Sequence, residues 1–279
     1  MYSDPRTGIE TINKLTNIPI RYIYKILNAH NIPIKKCESI NRKYTLNQDY
    51  FDIIDSHNKA YWLGWIASDG SISHHNVCLQ LQISDIEVLE NLKKSVEFNG
   101  PISIRKQAGK KVVCGKLCNI QDACRISFYS NKMTQSLAKH GLDNNKSYSL
   151  SFPTSISDEF LPSFIRGYWE GDGTLNGSRK SYSSIIASTE TFCNKLKSII
   201  IDKLGINVII QKAPKCNSTF LLSVCGSYQC LRFLNWIYSA DGYVLNRKYN
   251  KYLDCYRALK NNTRSQSKTK QELLNFKQR

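Results

Sequence analysis

The sequence predicts an α+β fold of two similar halves, each with the element order αββαββα, preceded by a pair of short helices. Two observations support this prediction. A motif that begins at Tyr61 recurs 103 residues later, and each half interleaves strand-like alternation with helical periodicity. Strands grouped as hairpins, with helices between them, favour antiparallel sheets covered by helices on one face only. The second face of each sheet is then free to bind a ligand.

Near the N-terminus, residues 8–33 carry apolar side chains at helical spacing on both sides of Asn17-Ile-Pro-Ile20. This pattern predicts a short helix, a tight turn and a second helix to about His30, and its spacing resembles a helix-turn-helix. Such a unit would contact DNA through the exposed residues early on its second helix, Arg21, Tyr22, Tyr24 and Lys25. The alternative is a helical hairpin that packs on the core. A basic linker at residues 35–46 could follow a phosphate backbone.

In the first half, the pattern predicts a helix from about Asn58, a strand at 77–84, a helix at 85–96, and strands at 102–106 and 124–129 around a polar insertion. The second half repeats this order, with a helix from about Glu159, a strand at 184–188, a helix at 189–204 and strands at 207–212 and 220–224. Gly205 is expected to end the helix before it. We therefore divide the chain into an extension with its linker (1–48), two halves (49–153 and 154–257) and a basic tail (258–279).

The repeated motif aligns Gly64 with Gly167 and Asp69 with Asp172, each pair 103 residues apart. Late in each half stands an Asn-x-Lys triplet, which ends at Lys146 and, 102 residues later, at Lys248. A chance match of one motif would not keep the same spacing across some eighty residues. The sequence therefore predicts a duplication, with the two halves related by a pseudo-twofold axis.

Each motif helix is apolar on nearly all sides, so both helices are expected to be buried. Small residues four apart, Gly64 with Ser68 and Gly167 with Gly171, lie on one face of each helix. Glycine inside a helix costs about 1 kcal/mol relative to alanine, so its presence in both copies indicates a packing role. We expect the two helices to approach with their backbones nearly in contact.

Both motif helices end at Asp-Gly, and Gly70 and Gly173 are expected to take the left-handed conformation common at helix C-termini. A carboxylate there meets the negative end of the helix dipole, and Asp69 and Asp172 would also repel each other. Divalent cations between them would remove both penalties. Mg²⁺ (or Mn²⁺) suits such a site because it takes one or two carboxylates together with water and phosphate oxygens. The alternative, a simple turn after a core helix, fits a single Asp-Gly better than a matched pair.

The formal net charge is +17, from 39 Lys and Arg against 22 Asp and Glu. This surplus indicates a polyanionic partner, with nucleic acid the first candidate and an anionic membrane surface the second. No run of eighteen apolar residues and no secretory signal is present, so we expect an intracellular protein of the cytoplasm, nucleoid or an organelle matrix, outside the membrane. The ten cysteines contain no CxxC pair, and we expect free thiols.

The segments Trp62-Leu-Gly-Trp-Ile-Ala-Ser-Asp-Gly70 and Ile165-Arg-Gly-Tyr-Trp-Glu-Gly-Asp-Gly173 resemble the LAGLIDADG motif. Over about residues 56–257 the chain is similar to single-chain, two-motif LAGLIDADG homing endonucleases. The resemblance implies that the late aspartates, Asp69 and Asp172, hold the catalytic metals. The earlier acid of the motif matches Glu170, whereas Ala67 replaces it in the first copy.

The resemblance further implies a monomer that lays a four-stranded sheet of each half in the major groove of double-stranded DNA. Its two sites would cut opposite strands and leave short 3′ overhangs. Lys146 and Lys248 match a lysine that helps to organise the water of the active site, although two surface lysines would look the same in sequence. Asp85 and Thr189 fall at a polar position near that water, and both fit equally well as helix N-caps.

Bases would be read by alternating side chains on the open faces of the sheets. The candidates are Gln80, Gln82, Arg105 and Lys106 in the first half, and Arg179, Lys180, Gln211 and Lys212 in the second. A shift of one residue in register would reverse these faces. An RNA-binding intron maturase and a DNA-binding regulator without catalysis remain alternatives. The N-terminal helices favour duplex DNA because the deep, narrow major groove of RNA cannot be read in this way.

Overall fold

A computed structural model describes residues 7–34, 43–113, 116–144, 146–178, 181–214, 216 and 218–260. Predicted linker residues Lys35, Lys36 and Arg42 and predicted base-contacting residues Arg179 and Lys180 lie outside these ranges. The described chain divides into two compact units. One contains residues 7–34 and 43–46 with Glu97–Gly100, and the other contains the rest from Asn47 onward.

The first unit contains two helices, α1 (Ile9–Thr16) and α2 (Ile20–Ala29). Ile9, Ile23 and Leu27 form its small buried cluster. The turn between the helices begins at Asn17, which ends α1 in the left-handed conformation with φ 56°. One face of each helix is thus used for a local core, and the remaining faces of α2 stay exposed.

The second unit begins with an antiparallel sheet of order β1-β2-β6-β3. Its elements are α3 (His57–Ser68), β1 (Gly70–Ser73), β2 (Asn76–Gln82), a 3-10 turn (Ile83–Asp85), α4 (Ile86–Ser95), β3 (Ser103–Arg105), β4 (Gly109–Val113), β5 (Lys116–Ile120), β6 (Ala123–Tyr129), α5 (Asn131–Lys139) and α6 (Lys146–Ser149). The insertion between β3 and β6, predicted only as a polar segment, forms the hairpin β4–β5. Asp122 fixes its base by accepting hydrogen bonds from the backbone N–H groups of Gln107 and Ala108 at 2.7 and 2.8 Å.

The second sheet has the equivalent order, β7-β8-β10-β9. Its elements are α7 (Leu161–Asp172), β7 (Gly173–Ser178), β8 (Ser181–Ser188), α8 (Glu190–Leu204), β9 (Ile209–Lys212), β10 (Phe220–Cys225), α9 (Ser227–Ile237) and α10 (Asn246–Lys260). Gly205 ends α8 with φ 61°, as predicted. The predicted α+β fold with antiparallel sheets is confirmed. None of the described helices is long and apolar enough to cross a bilayer.

Helices α3 and α7 form the centre of the core, with residues Ala60–Ala67 and Leu161–Glu170 buried. A Cβ atom on Gly64 would lie 2.2 Å from the carbonyl oxygen of Phe164, and one on Gly167 would lie 2.1 Å from that of Tyr61. These distances are well below van der Waals contact, so only glycine fits at either position. The predicted backbone-to-backbone approach of the two helices is confirmed.

The glycines that follow the two aspartates have a different role from the predicted one. Gly173 is extended, with φ −91° and ψ 158°, and Gly70 has no positive φ either, so the left-handed prediction is wrong. Each glycine instead starts a strand directly after the helix. A Cβ atom would lie 2.4 Å from the carbonyl oxygen of Ile66 at Gly70, and 2.4 Å from that of Trp169 at Gly173. A side chain would therefore prevent the sharp passage from helix to strand.

Replacing Gly64 by alanine should destabilise the protein strongly, because the new methyl group meets the backbone of α7 and no side chain can move aside. We expect a loss of about 3 kcal/mol in the free energy of unfolding, at the upper end of overpacking effects, measured by urea denaturation. Gly141→Ala is the control: its φ is 80° and a Cβ there meets nothing within 4 Å, so the cost should be about 1 kcal/mol. Equal losses in the two variants would contradict the packing role.

Candidate active site

The ends of α3 and α7 bring Asp69 and Asp172 to the interface between the two halves. Asp69 is the C-cap residue of α3, and Asp172 is the last residue of α7. Their proximity depends on Gly171, because a Cβ atom there would lie 2.7 Å from Oδ2 of Asp69. Neither carboxylate receives a hydrogen bond or ion pair from a described residue. Two unpartnered carboxylates thus stand at adjoining helix ends.

The electrostatics of this pair are unfavourable in the protein alone. Burial, together with the charge of Asp69, raises the pKa of Asp172 to about 6. Burial also raises the pKa of Asp69, and Lys248 and Lys146 oppose that shift. Both side chains still reach solvent, which screens part of their repulsion. With a pKa of about 6, Asp172 is mostly ionised at neutral pH, and a bound cation would stabilise its charge.

Lys146 and Lys248 lie in the site and are not surface lysines, being only 6% and 7% exposed. Nζ of Lys146 donates to the carbonyl oxygens of Ala67 and Ser68 at 2.8 and 2.7 Å. Nζ of Lys248 donates to those of Trp169, Gly171 and Gly173 at 3.0, 3.2 and 2.6 Å. Each lysine thus satisfies the free carbonyls at the end of its own motif helix and opposes the negative end of the dipole.

Burial lowers the pKa of both lysines to about 8, while the two aspartates act in the opposite direction. The Nζ atoms can therefore hold or release a proton close to neutral pH. The family resemblance, together with the matched spacing, implied that these lysines lie near the aspartates. The carbonyl contacts that hold them there could not be predicted from the sequence.

Each aspartate lines a cavity of its own. The Asp69 cavity has a volume of about 450 Å³, and its lining includes Gln80, Gln82, Asp85 and Arg247. The Asp172 cavity has a volume of about 340 Å³, and its lining includes Lys146, Tyr168, Ser188 and Thr189. Each cavity continues from an aspartate to the strand ends of the sheet in the same half. A polymer on the open faces of the sheets could therefore reach both aspartates.

Asp85 and Thr189, which occupy equivalent positions in the two halves, behave differently. Thr189 caps α8, because its Oγ1 accepts from the N–H of Phe192 at 3.3 Å, and the same hydroxyl donates to the carbonyl of Leu150. Asp85 stands at the N-cap position of α4 but makes no capping hydrogen bond. Its carboxylate instead binds the guanidinium of Arg247 at 2.8 Å. Sequence reasoning missed Arg247, whose repeat partner is Asn145.

Glu170, the earlier acid of the second motif, is fully buried and lies in the core. It accepts hydrogen bonds from the hydroxyls of Tyr61 and Tyr238 at 2.6 and 2.9 Å and from the N–H of Leu245 at 2.8 Å. Burial raises its pKa to about 6. Glu170 therefore joins α7 to α3 and to the start of α10.

The first sheet has a polar open face. Gln80 lies in one row with Ser103, and Gln82 in one row with Arg105, on either side of β6. The predicted residues Gln80, Gln82 and Arg105 therefore share one face, and all three are exposed. Arg125 lies between Gln80 and Ser103 on the same face and was missed by the sequence analysis. Lys106 is exposed but follows the end of β3.

The open face of the second sheet is more apolar. Gln211 lies on it, in one row with Leu221 and Ala187. The neighbouring row contains Ile209 and Ile185, paired through Ser223. Lys212 is exposed at the strand end but alternates to the opposite face.

The predicted contact residues of α2 are all exposed. The charged groups of Arg21 and Lys25 lie 5.0 and 5.8 Å from the ring centre of Tyr22, within the range of cation–π attraction. Tyr24 is 41% exposed. This surface combines positive charge with aromatic rings, a composition suited to contacts with nucleic acid.

The donor set at the helix ends fits a magnesium-like cation better than a zinc-like one. Among the described residues, no group of three or more His, Cys, Asp or Glu side chains could hold a metal ion. The groups that could hold a cation at the helix ends are the carboxylates of Asp69 and Asp172, and water or phosphate oxygens would have to complete the shell. That partial shell is the kind Mg²⁺ prefers, whereas zinc sites use three or four nitrogen or sulfur ligands.

Residues 159–238 match the family model described as LAGLIDADG-like domain. This match contains the second motif, and the resemblance to the LAGLIDADG family is therefore confirmed. A curated relative, the DNA-directed RNA polymerase subunit Rpo1C of Methanocaldococcus jannaschii, is 24% identical over 221 residues, which are 78% of this chain. The chain spans only 23% of the length of that relative.

Several solved structures are also similar. The meganuclease I-SmaMI, bound to uncleavable DNA, is 15% identical, with coverage of 78% of this chain and 96% of that chain and a TM-score of 0.48. The LAGLIDADG homing endonuclease I-GzeII, in complex with its DNA target, is 14% identical, with coverage of 80% and 98% and a TM-score of 0.46. Full-length WhiA from Thermatoga maritima is 17% identical, with coverage of 77% and 72% and a TM-score of 0.45.

Asp172→Asn should stabilise the metal-free protein at pH 7, because it removes a charge that burial and Asp69 disfavour. After allowance for solvent screening, we expect a gain of about 1 kcal/mol in the free energy of unfolding. The folded pKa of about 6 exceeds the usual 3.8, so the unmodified protein loses stability as pH rises through this interval. The gain should therefore shrink as pH falls from 6 to 4.

Urea denaturation in the presence of a chelator, at a series of pH values, measures this effect. Asp202→Asn is the matched control, because Asp202 is exposed on α8 and should show no such gain. If Asp172→Asn destabilises the protein at pH 7 instead, the carboxylate is not under electrostatic strain.

Proposed function

We propose that the chain is a sequence-specific, Mg²⁺-dependent homing endonuclease that hydrolyses both strands of double-stranded DNA and leaves short 3′ overhangs. The observation that carries this proposal is the pair of unpartnered carboxylates, Asp69 and Asp172, at the ends of two helices whose backbones touch at Gly64 and Gly167. Each carboxylate lines a separate cavity with a buried lysine beside it. This arrangement is unfavourable without a bound cation, which supports a catalytic role over DNA binding alone.

Asp69 and Asp172 would hold divalent cations, Mg²⁺ or Mn²⁺, between the halves. Such a cation supplies charge stabilisation at a phosphodiester and lowers the pKa of a bound water. Lys146 and Lys248 would keep the helix ends in place through their carbonyl contacts and, with pKa values near 8, hold or move a proton at Nζ. Their positive charge would also favour a phosphate near the carboxylates.

DNA would lie on the open faces of the two sheets, where Gln80, Gln82, Arg105 and Gln211 are exposed. The net charge of +17 supports attraction to the phosphate backbone. We further infer that the two halves arose by duplication and act as a monomer, since one chain provides both sites. The N-terminal helices would serve as a helix-turn-helix that binds DNA through α2.

Cleavage of each strand should depend on a different aspartate. Asp69→Asn and Asp172→Asn should each block the cutting of one strand and leave DNA binding within about threefold, because asparagine keeps the shape of the side chain but not its charge. The assay uses a strand-labelled duplex that joins the sequences flanking the gene, incubated with Mg²⁺, and Asp202→Asn is the control. Parallel loss of binding and cleavage would contradict the metal role.

The same assay separates the alternative functions. Tight binding of the flanking duplex without cleavage would indicate a DNA-binding regulator. Tight binding of the intron transcript, without cleavage of the duplex, would indicate an RNA maturase.

The N-terminal unit should contribute phosphate contacts. The double variant Arg21→Ala, Lys25→Ala should weaken DNA binding and lower the slope of log affinity against log salt by about 2, as measured by fluorescence anisotropy with Ca²⁺ in place of Mg²⁺. Lys14→Ala, on the exposed side of α1, is the control within the same unit and should change the slope by less than half of one unit. An unchanged slope in the double variant would contradict a DNA contact by α2.

A further inference from the structure

An ion pair crosses from one half to the other beside Asp69. Asp85 belongs to the turn after β2 and is 5% exposed, while Arg247 lies in the first turn of α10 in the other half. Nε of Arg247 donates to both carboxylate oxygens of Asp85, at 2.9 and 3.1 Å, and Nη2 donates to Oδ2 at 2.8 Å. Both residues line the 450 Å³ cavity that also contains Asp69.

The two residues directly before Arg247 are also fixed by hydrogen bonds. Asn246 donates from Nδ2 to Oε2 of Glu87 at 2.8 Å, and the N–H of Leu245 donates to the buried Glu170. The guanidinium is therefore held before any ligand arrives, which lowers the entropic cost of binding one. The Arg247 side chain remains 51% exposed, and its Nη1 has no hydrogen-bond partner in the described part of the chain.

Among the described residues, the lining of the Asp172 cavity contains no equivalent arginine–carboxylate pair. In the repeat, Thr189 occupies the position of Asp85, and its hydroxyl is used by α8 and by Leu150. Asn145, outside the described residues, stands where the second half has Arg247. No arginine is among the described residues that line the Asp172 cavity. The two cavities thus differ in the kind of positive group: the Asp69 cavity has the half-exposed guanidinium of Arg247, whereas the Asp172 cavity has the buried ammonium of Lys146, which is bound to backbone carbonyls.

We propose that Arg247, oriented by Asp85, binds a backbone phosphate of the DNA strand that enters the Asp69 cavity, so that the two strands are cut at unequal rates. A planar guanidinium suits this role because it can bind a carboxylate along one edge and a phosphate oxygen through its remaining donors. This inference rests on the proposed function. It adds a substrate-binding residue that one half supplies to the aspartate of the other.

Arg247→Gln tests the inference on a strand-labelled duplex. We expect cutting of one strand to slow by about tenfold or more and cutting of the other by less than threefold, so that a duplex nicked in one strand accumulates. The slowed strand should be the one that Asp69→Asn affects more. With Ca²⁺ in place of Mg²⁺, the salt slope of DNA binding should fall by about 1. Arg257→Gln is the matched control, since it removes the same charge from an exposed position on the same helix.

A second variant separates a phosphate contact from a purely structural pair. Arg247→Gln alone leaves the buried Asp85 carboxylate without its partner, which can destabilise the protein. The double variant Asp85→Asn, Arg247→Gln removes both charges. If Arg247 binds DNA, the double variant keeps the one-strand defect and the lowered salt slope.

Recovery of both properties in the double variant, or equal slowing of the two strands by Arg247→Gln, would overturn the inference. A wild-type chain that cuts neither strand contradicts the proposed function instead. In that case the test of Arg247 is the slope of log DNA affinity against log salt, measured for Arg247→Gln and for the double variant. A slope equal to that of the wild type would refute the phosphate contact.

Discussion

The contact between the backbones of α3 and α7 is the constraint on which the rest of the structure depends. Gly64 and Gly167 each face a carbonyl oxygen of the other helix at a distance that excludes any side chain. Because the helices touch along their length, their last residues, Asp69 and Asp172, must stand next to each other. The position of the carboxylates is therefore a consequence of helix packing, and the two sheets extend outward from the same point.

This packing concentrates charge, and the surrounding residues balance it. Two carboxylates at the negative ends of two helices are unfavourable, and burial together with the charge of Asp69 raises the pKa of Asp172. Lys146 and Lys248 offset this negative charge, because their ammonium groups donate hydrogen bonds to carbonyl oxygens of the last helical turns. Each lysine comes from the end of its own half, so the last element of a half stabilises the helix that begins it.

Much of this site could be predicted because a repeat leaves a regular mark in sequence. The shared spacing indicated the helix pair and both aspartates, the family resemblance added both lysines, and alternation predicted most strands. Other features leave no such mark. The partners Asp85 and Arg247 are 162 residues apart, and the equivalent positions of the other half carry different residue types, Thr189 and Asn145. The sequence predicted that Gly70 and Gly173 are needed for a positive φ. The structure shows that they are needed because a Cβ atom would meet a helix carbonyl. Both requirements select glycine, so the sequence does not distinguish them.

The open faces of the two sheets have diverged in chemistry, with Gln80 and Arg125 on one and Ile185 and Ile209 on the other. In a symmetric homodimer every substitution appears twice, and both sides must tolerate it. In this chain, a substitution on β2 alters only the first sheet, and a substitution on β9 alters only the second. Each face can therefore change by single mutations independently of the other, while the contact at Gly64 and Gly167 stays constant.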